Sequence, residues 1–152
     1  MSELEEALKL IEEFNTIKMQ NRITTEYGAL ASEGSEGGPY DWQAVWHDMG
    51  ADCPERAIIA GNRTGKTRTA SAEVALHLTG LYPDWWQGRR FDEPTSWIVA
   101  GPTNELTRDV CQFALVGSMV PGSREPDGQG WIPKSCIGKV DFRQCGVQNV
   151  ID

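Results

Sequence analysis

The stretch that most constrains this chain is Ala60-Gly61-Asn62-Arg63-Thr64-Gly65-Lys66-Thr67. A short apolar run, Ala57-Ile58-Ile59-Ala60, leads into it, and a segment of helical character, Arg68 to Leu78, leads out. Strand, glycine-bearing loop, Lys-Thr and helix in that order describe a phosphate-binding P-loop, the Walker A element. Successive backbone N–H groups in such a loop turn inward and form a nest for an anion. The helix that follows adds the positive end of its dipole. In this reading Gly61, Asn62, Arg63, Thr64 and Gly65 form the cradle for ATP. Lys66 reaches its β- and γ-phosphates, and the Thr67 hydroxyl sits on Mg2+. Ala60 stands where the usual pattern has its first Gly, and Gly61 comes one place later. The plainer alternative is a glycine turn that only joins a strand to a helix.

The alternation continues downstream. The helix after the loop carries Ala70, Val74 and Leu78 at i, i+4, i+8 and ends at Gly80 and Pro83. A loop over residues 80–95 holds Trp85, Trp86, Arg89 and Arg90 and reads as a packing lid or an interaction surface. Ser96-Trp97-Ile98-Val99-Ala100 reads as a second buried strand, and Gly101-Pro102-Thr103-Asn104 caps a helix running to about Val116. Beyond Gly117 the chain is rich in Gly and Pro, with a short strand expected over Ile137 to Phe142. The expected fold class is therefore α/β: a P-loop NTPase-type parallel sheet flanked by helices, incomplete, with an N-terminal helix.

Residues 1–27 hold that N-terminal amphipathic element. Over 2–19, Leu4, Leu8, Ile11, Phe14 and Ile17 fall near one face, packed on the domain or on a partner subunit. Residues 28–38, with small side chains and repeated Gly, read as a flexible linker. Residues 39–152 read as the N-terminal part of the ATPase domain.

This last region opens with Pro39-Tyr40-Asp41-Trp42-Gln43, where Asp41 is a plausible helix N-cap. A Gln side chain has donors and an acceptor in one plane, which suits the adenine edge, so Gln43 is a candidate base reader and Tyr40 or Trp42 a stacking partner. The alternative is an aromatic helix start buried for packing.

Composition excludes some classes. Net charge is −8, which argues against a broad basic DNA-gripping face on this chain alone. Cys53, Cys111, Cys136 and Cys145 have no C-x-x-C spacing, and His47 and His77 complete no ligand set, so four reduced thiols are expected rather than a zinc site. No signal peptide or membrane span is legible.

After residue 100 no apolar strand runs into Asp-Glu, the element that holds Mg2+ from the far side and orients water. Asp152 follows only Val150-Ile151. The chain reads as the front part of a larger ATPase.

Over about residues 39–152 the sequence resembles the large subunit of the terminase of tailed bacteriophages. The resemblance rests on Pro39-Tyr40-Asp41-Trp42-Gln43, the loop 60–67, and Thr79-Gly80-Leu81-Tyr82-Pro83-Asp84-Trp85-Trp86. It rests further on Trp97-Ile98-Val99-Ala100-Gly101-Pro102-Thr103 and Gly130-Trp131-Ile132-Pro133-Lys134. It implies an ATPase that drives double-stranded DNA through a portal protein into a capsid, in the cytoplasm of the infected bacterial host. A small terminase subunit would be a partner, and the full-length protein would form a homo-oligomeric ring. Arg63, or Asn62 in its place, would act on the γ-phosphate beside Lys66, and Thr103 and Asn104 would lie where such motors contact DNA. This chain alone is expected to be inactive. A fragment of a helicase-like P-loop NTPase and a non-catalytic prophage remnant are the competing readings.

Overall fold

The computed structural model describes residues 3–143, Val147 and Ile151. Among the described residues six α-helical segments follow in order: α1 Glu3–Met19, α2 Arg22–Thr25, α3 Asp41–Asp48, α4 Lys66–Thr79, α5 Asn104–Leu106 and α6 Phe113–Val116. The last two are joined by a π-helical turn, Thr107–Gln112, into one rod. Thr103 caps its start by accepting from the Leu106 N–H at 3.2 Å. Gly80, at φ 71°, ends α4 in the left-handed conformation that only Gly adopts without strain.

The expected parallel sheet is not formed. Among the described residues there is no β-strand, only isolated bridges between Met119 and Pro126 and between Phe142 and Ile151. Residues 57–60 and 96–100 carry the β-branched side chains that suit extended backbone, but a strand needs a neighbour facing its N–H and C=O groups. No backbone hydrogen bond joins these two segments among the described residues. Instead Ile58, Val99 and Ala100 line one cavity of ≈520 Å³, while Ile59 and Ile98 stand 96% and 95% exposed. The short strand expected over 137–142 is likewise absent apart from the Phe142 bridge.

The core is small and lies where α2, α3, α4 and the segments around Trp86 and Trp131 converge. Ile23, Tyr27, Ala72, Ala75, Leu76, Trp86 and Trp131 are buried, and Tyr82, Trp85 and Ile132 pack against them. The stripe read on α4 is not its core face: Ala70 and Val74 border the ≈520 Å³ cavity, and Leu78 is 39% exposed. The buried face of α4 carries Ala72, Ala75 and Leu76 together with a polar stripe, Thr69, Glu73 and His77, which a hydrophobic periodicity search does not see.

Helix α1 leaves the body entirely. Its end is fixed by Gln20, which accepts from the Lys134 N–H at 3.3 Å and donates to Asp127 O at 3.3 Å. The side chains of Leu4, Leu8, Ile11, Phe14 and Ile17 are all exposed, so they do not pack on the domain. The Gly-rich stretch 28–38 closes on itself, with the Ala31 N–H donating to Pro39 O at 3.0 Å and Arg68 donating to Gly37 O.

Candidate functional site

The loop 60–67 takes the shape its residue types allow. Arg63 has φ 61° and Gly65 φ 90°, so two left-handed residues curl the backbone before α4 begins at Lys66. A Cβ on Gly65 would sit 2.9 Å from Gln43 Nε2, which adds a steric demand for Gly to the conformational one. Thr64 Oγ1 donates to Gly61 O at 2.9 Å. Lys66 Nζ folds back over the loop and donates to Ala60 O at 2.8 Å and Gly61 O at 2.5 Å. Both acceptors are neutral carbonyls, and among the described residues no carboxylate pairs with Lys66. An uncompensated ammonium therefore stands beside the N-terminus of a 14-residue helix, a local field that favours an anion. Asn62, Arg63 and Thr67 are exposed around it. The Lys66 charge, the curled backbone and a Thr hydroxyl at position 67 are of the chemical kind that a phosphate group and its metal require. Lys66 and Thr67 also border the ≈520 Å³ cavity.

The aromatic stretch is placed behind this loop. Tyr40 occupies the N-cap position of α3, and Asp41 is its first residue rather than its cap. Gln43 is buried, accepts from the Tyr40 N–H at 2.9 Å and donates to Thr69 Oγ1 at 2.6 Å. Thr69 Oγ1 in turn donates to Gly65 O at 3.0 Å. Gln43 is thus hydrogen-bonded to the root of the loop, while Tyr40 and Trp42 are 60% and 40% exposed.

One constellation was not legible in the sequence. Glu73 receives His47 Nδ1 at 2.7 Å, Arg56 Nη1 at 3.2 Å, a close contact from Arg56 Nη2, and His77 Nε2 at 3.5 Å. Tyr27 OH lies 3.3 Å from His47 Nε2, and Tyr82 OH 2.9 Å from His77 Nδ1. The result is a chain Tyr27–His47–Glu73–His77–Tyr82, buried up to the half-buried Tyr82. Burial holds the His47 pKa below its usual value, against the pull of Glu73. A neutral His47 then carries its proton on Nδ1 toward Glu73 and accepts from Tyr27 at Nε2, the tautomer its partners require. Burial alone would raise the Glu73 carboxyl; hydrogen bonds from His47, His77 and Arg56 outweigh it and hold the group well below the usual carboxylate range. Burial pushes the Tyr27 hydroxyl well above its usual value. The one sequence signal was Glu73 and His77 at i, i+4 on α4. His47 and Arg56 reach the carboxylate from other elements, a meeting no local pattern announces.

The Tyr-Pro-Asp-Trp-Trp segment packs on this chain. Trp86 is buried, Trp85 Nε1 donates to Tyr27 O at 2.8 Å, and Arg56 lies over the Trp46 ring at 4.3 Å. Arg89 and Arg90 sit over Phe91 and Tyr82 at 5.2 and 5.3 Å. Cys53, Cys111 and Cys136 are free. Cys145 and Asp152 lie outside the described residues. Among the described residues no helix is long and apolar enough to cross a membrane.

Comparison with known proteins gives the same answer as the motifs: the chain is similar to phage terminase large subunits. It is 41% identical over 111 residues to the large subunit of the terminase of Salmonella phage P22. That match covers 65% of this chain and 22% of the relative, so the chain spans about a fifth of the relative's length. No family model matches the chain, and no solved structure matches it.

Proposed function

We propose that this chain is the nucleotide-binding part of a viral DNA-packaging motor, working in the cytoplasm of an infected bacterium. Its complete form would couple ATP hydrolysis to movement of double-stranded DNA into the capsid, with the portal protein and the small terminase subunit as partners. The similarity to the P22 subunit supports the packaging role. The observation that carries the nucleotide reading is Lys66, folded over loop carbonyls at the start of α4 with no carboxylate partner. In this reading ATP would draw the ammonium from Ala60 O and Gly61 O to its β- and γ-phosphates. The backbone of 61–66 would hold the phosphates, and the Thr67 hydroxyl would be a ligand of the nucleotide's Mg2+, which neutralises phosphate charge. Tyr40 or Trp42 would stack on the base. Arg63, or Asn62 in its place, would act on the γ-phosphate.

The test is isothermal titration of MgATP into the wild-type chain and Lys66→Ala. Loss of one charge-assisted contact is expected to cost about 2 kcal/mol, roughly a thirtyfold rise in Kd. Equal affinities in the two proteins would sink the reading.

A further inference from the structure

We propose that the apolar face of α1 pairs with the same face of a second copy of this chain. Leu4, Leu8, Leu10, Ile11, Phe14 and Ile17 are between 52% and 70% exposed. On a helix with seven-residue spacing, Leu4, Ile11 and Lys18 align with Ala7 and Phe14 along one seam. Leu8 borders that seam on one side, Leu10 and Ile17 on the other. Glu5, Glu6, Lys9, Glu12 and Glu13 all fall on the opposite side, and the Lys9–Glu13 pair, at 3.8 Å, lies there. Such segregation matters in a chain of net charge −8, because two copies can meet along this seam without setting carboxylate against carboxylate. The same acidic helix is a poor fit to an anionic lipid surface, which favours Lys and Arg on the polar face.

An antiparallel pair centred on Ile11 has further matches. It sets Leu8 of each copy against Phe14 of the other, and Leu4 against the aliphatic stem of Lys18. It also opposes the two helix dipoles. Helix stability argues the same way. A free helix of 17 residues is marginal in water unless an apolar face is packed, and α1 packs none of its own. The exposed apolar area is on the order of several hundred Å² per copy, the size of patch that monomers keep for a purpose. A pair would bury on the order of 1,000 Å² in total, the range of weak, reversible dimers.

The experiment is sedimentation velocity of the full 152-residue chain over a concentration series reaching about 100 μM. Concentration-dependent dimers are expected. The double variant Leu8→Glu/Ile11→Glu should weaken them at least about tenfold while the near-ultraviolet dichroism of the buried tryptophans is unchanged. A monomer throughout the series overturns the proposal. So does association that survives Leu8→Glu/Ile11→Glu but is lost in Ile98→Glu, which would place the contact on the exposed extended segment.

Discussion

Replacing Glu73 by Gln keeps the shape of the side chain and removes its charge. The side chains of Glu73 and Arg56 are 6% and 14% exposed, so Arg56 would be left as a nearly buried cation without its counter-charge. Breaking a buried ion pair from one side costs about 3–5 kcal/mol. Arg56 retains Trp46 O at 2.8 Å and its place over the Trp46 ring, which points to the lower half of that range. Against this, every group aimed at Glu73 is a donor. The new amide N–H₂ must therefore face His47, His77 or Arg56 donor to donor, adding about 1–3 kcal/mol. The expected loss is at least about 4 kcal/mol, a large share of the 5–15 kcal/mol that holds a typical domain. The assay is urea unfolding followed by tryptophan fluorescence, with Glu13→Gln, on the exposed side of α1, as the control. A loss below about 1 kcal/mol at an unchanged m-value would refute the reasoning, since Glu73 would then not be compensating Arg56. Arg56→Met combined with Glu73→Gln should recover part of the loss, because no buried charge is then left alone.

The other expectations concern pH, the helix cap and turnover. His47 is held below its ordinary value of 6.5, so its contribution is present above about pH 6.5 and declines as pH falls and the unfolded chain takes the proton; Glu73, held below its ordinary 4.5, adds a second loss at more acid pH. Urea midpoints that stay level or rise from pH 7 to pH 5 would contradict this. Gln43→Ala should cost about 1–3 kcal/mol of stability by freeing the Tyr40 N–H and Thr69 hydroxyl from their partner; an unchanged midpoint, with an ATP-over-GTP preference lost in titrations, would return Gln43 to base reading. The chain alone should turn over ATP well below about 1 s⁻¹, because no apolar strand runs into Asp-Glu after residue 100 to hold Mg2+ and orient water. Faster release of phosphate would mean that a catalytic carboxylate has been overlooked.

Local chemistry made the helices and the loop legible. Gly80 and Thr103 mark ends that depend on one residue's backbone or hydroxyl, and α4 starts at Lys66, directly after Gly65. The sheet was misread because the Ile58-Ile59 and Ile98-Val99 runs state a preference for extended backbone, whereas pairing depends on what lies beside them. The hydrogen-bonding edges of Gln43 are used, but toward Tyr40 and Thr69 inside the chain. The polar stripe of α4 was missed for the converse reason: Thr69, Glu73 and His77 look like a solvated face until His47, Arg56 and Tyr82 arrive from other elements.

That stripe has a mechanical consequence. A purely greasy helix can slide by one turn, about 5.4 Å, and exchange one set of similar contacts for another. In α4 the same slide would put Thr69 where Glu73 stands, leave Arg56 facing a neutral hydroxyl, and carry Glu73 into the place of His77. Each residue of the stripe is a differently cut tooth that engages only its own notch. The rod that begins at Lys66 is thereby indexed to α3, and the loop inherits that index. A push on Lys66 from the loop side would be transmitted to His47 and Trp86 as a rigid displacement rather than absorbed as slip.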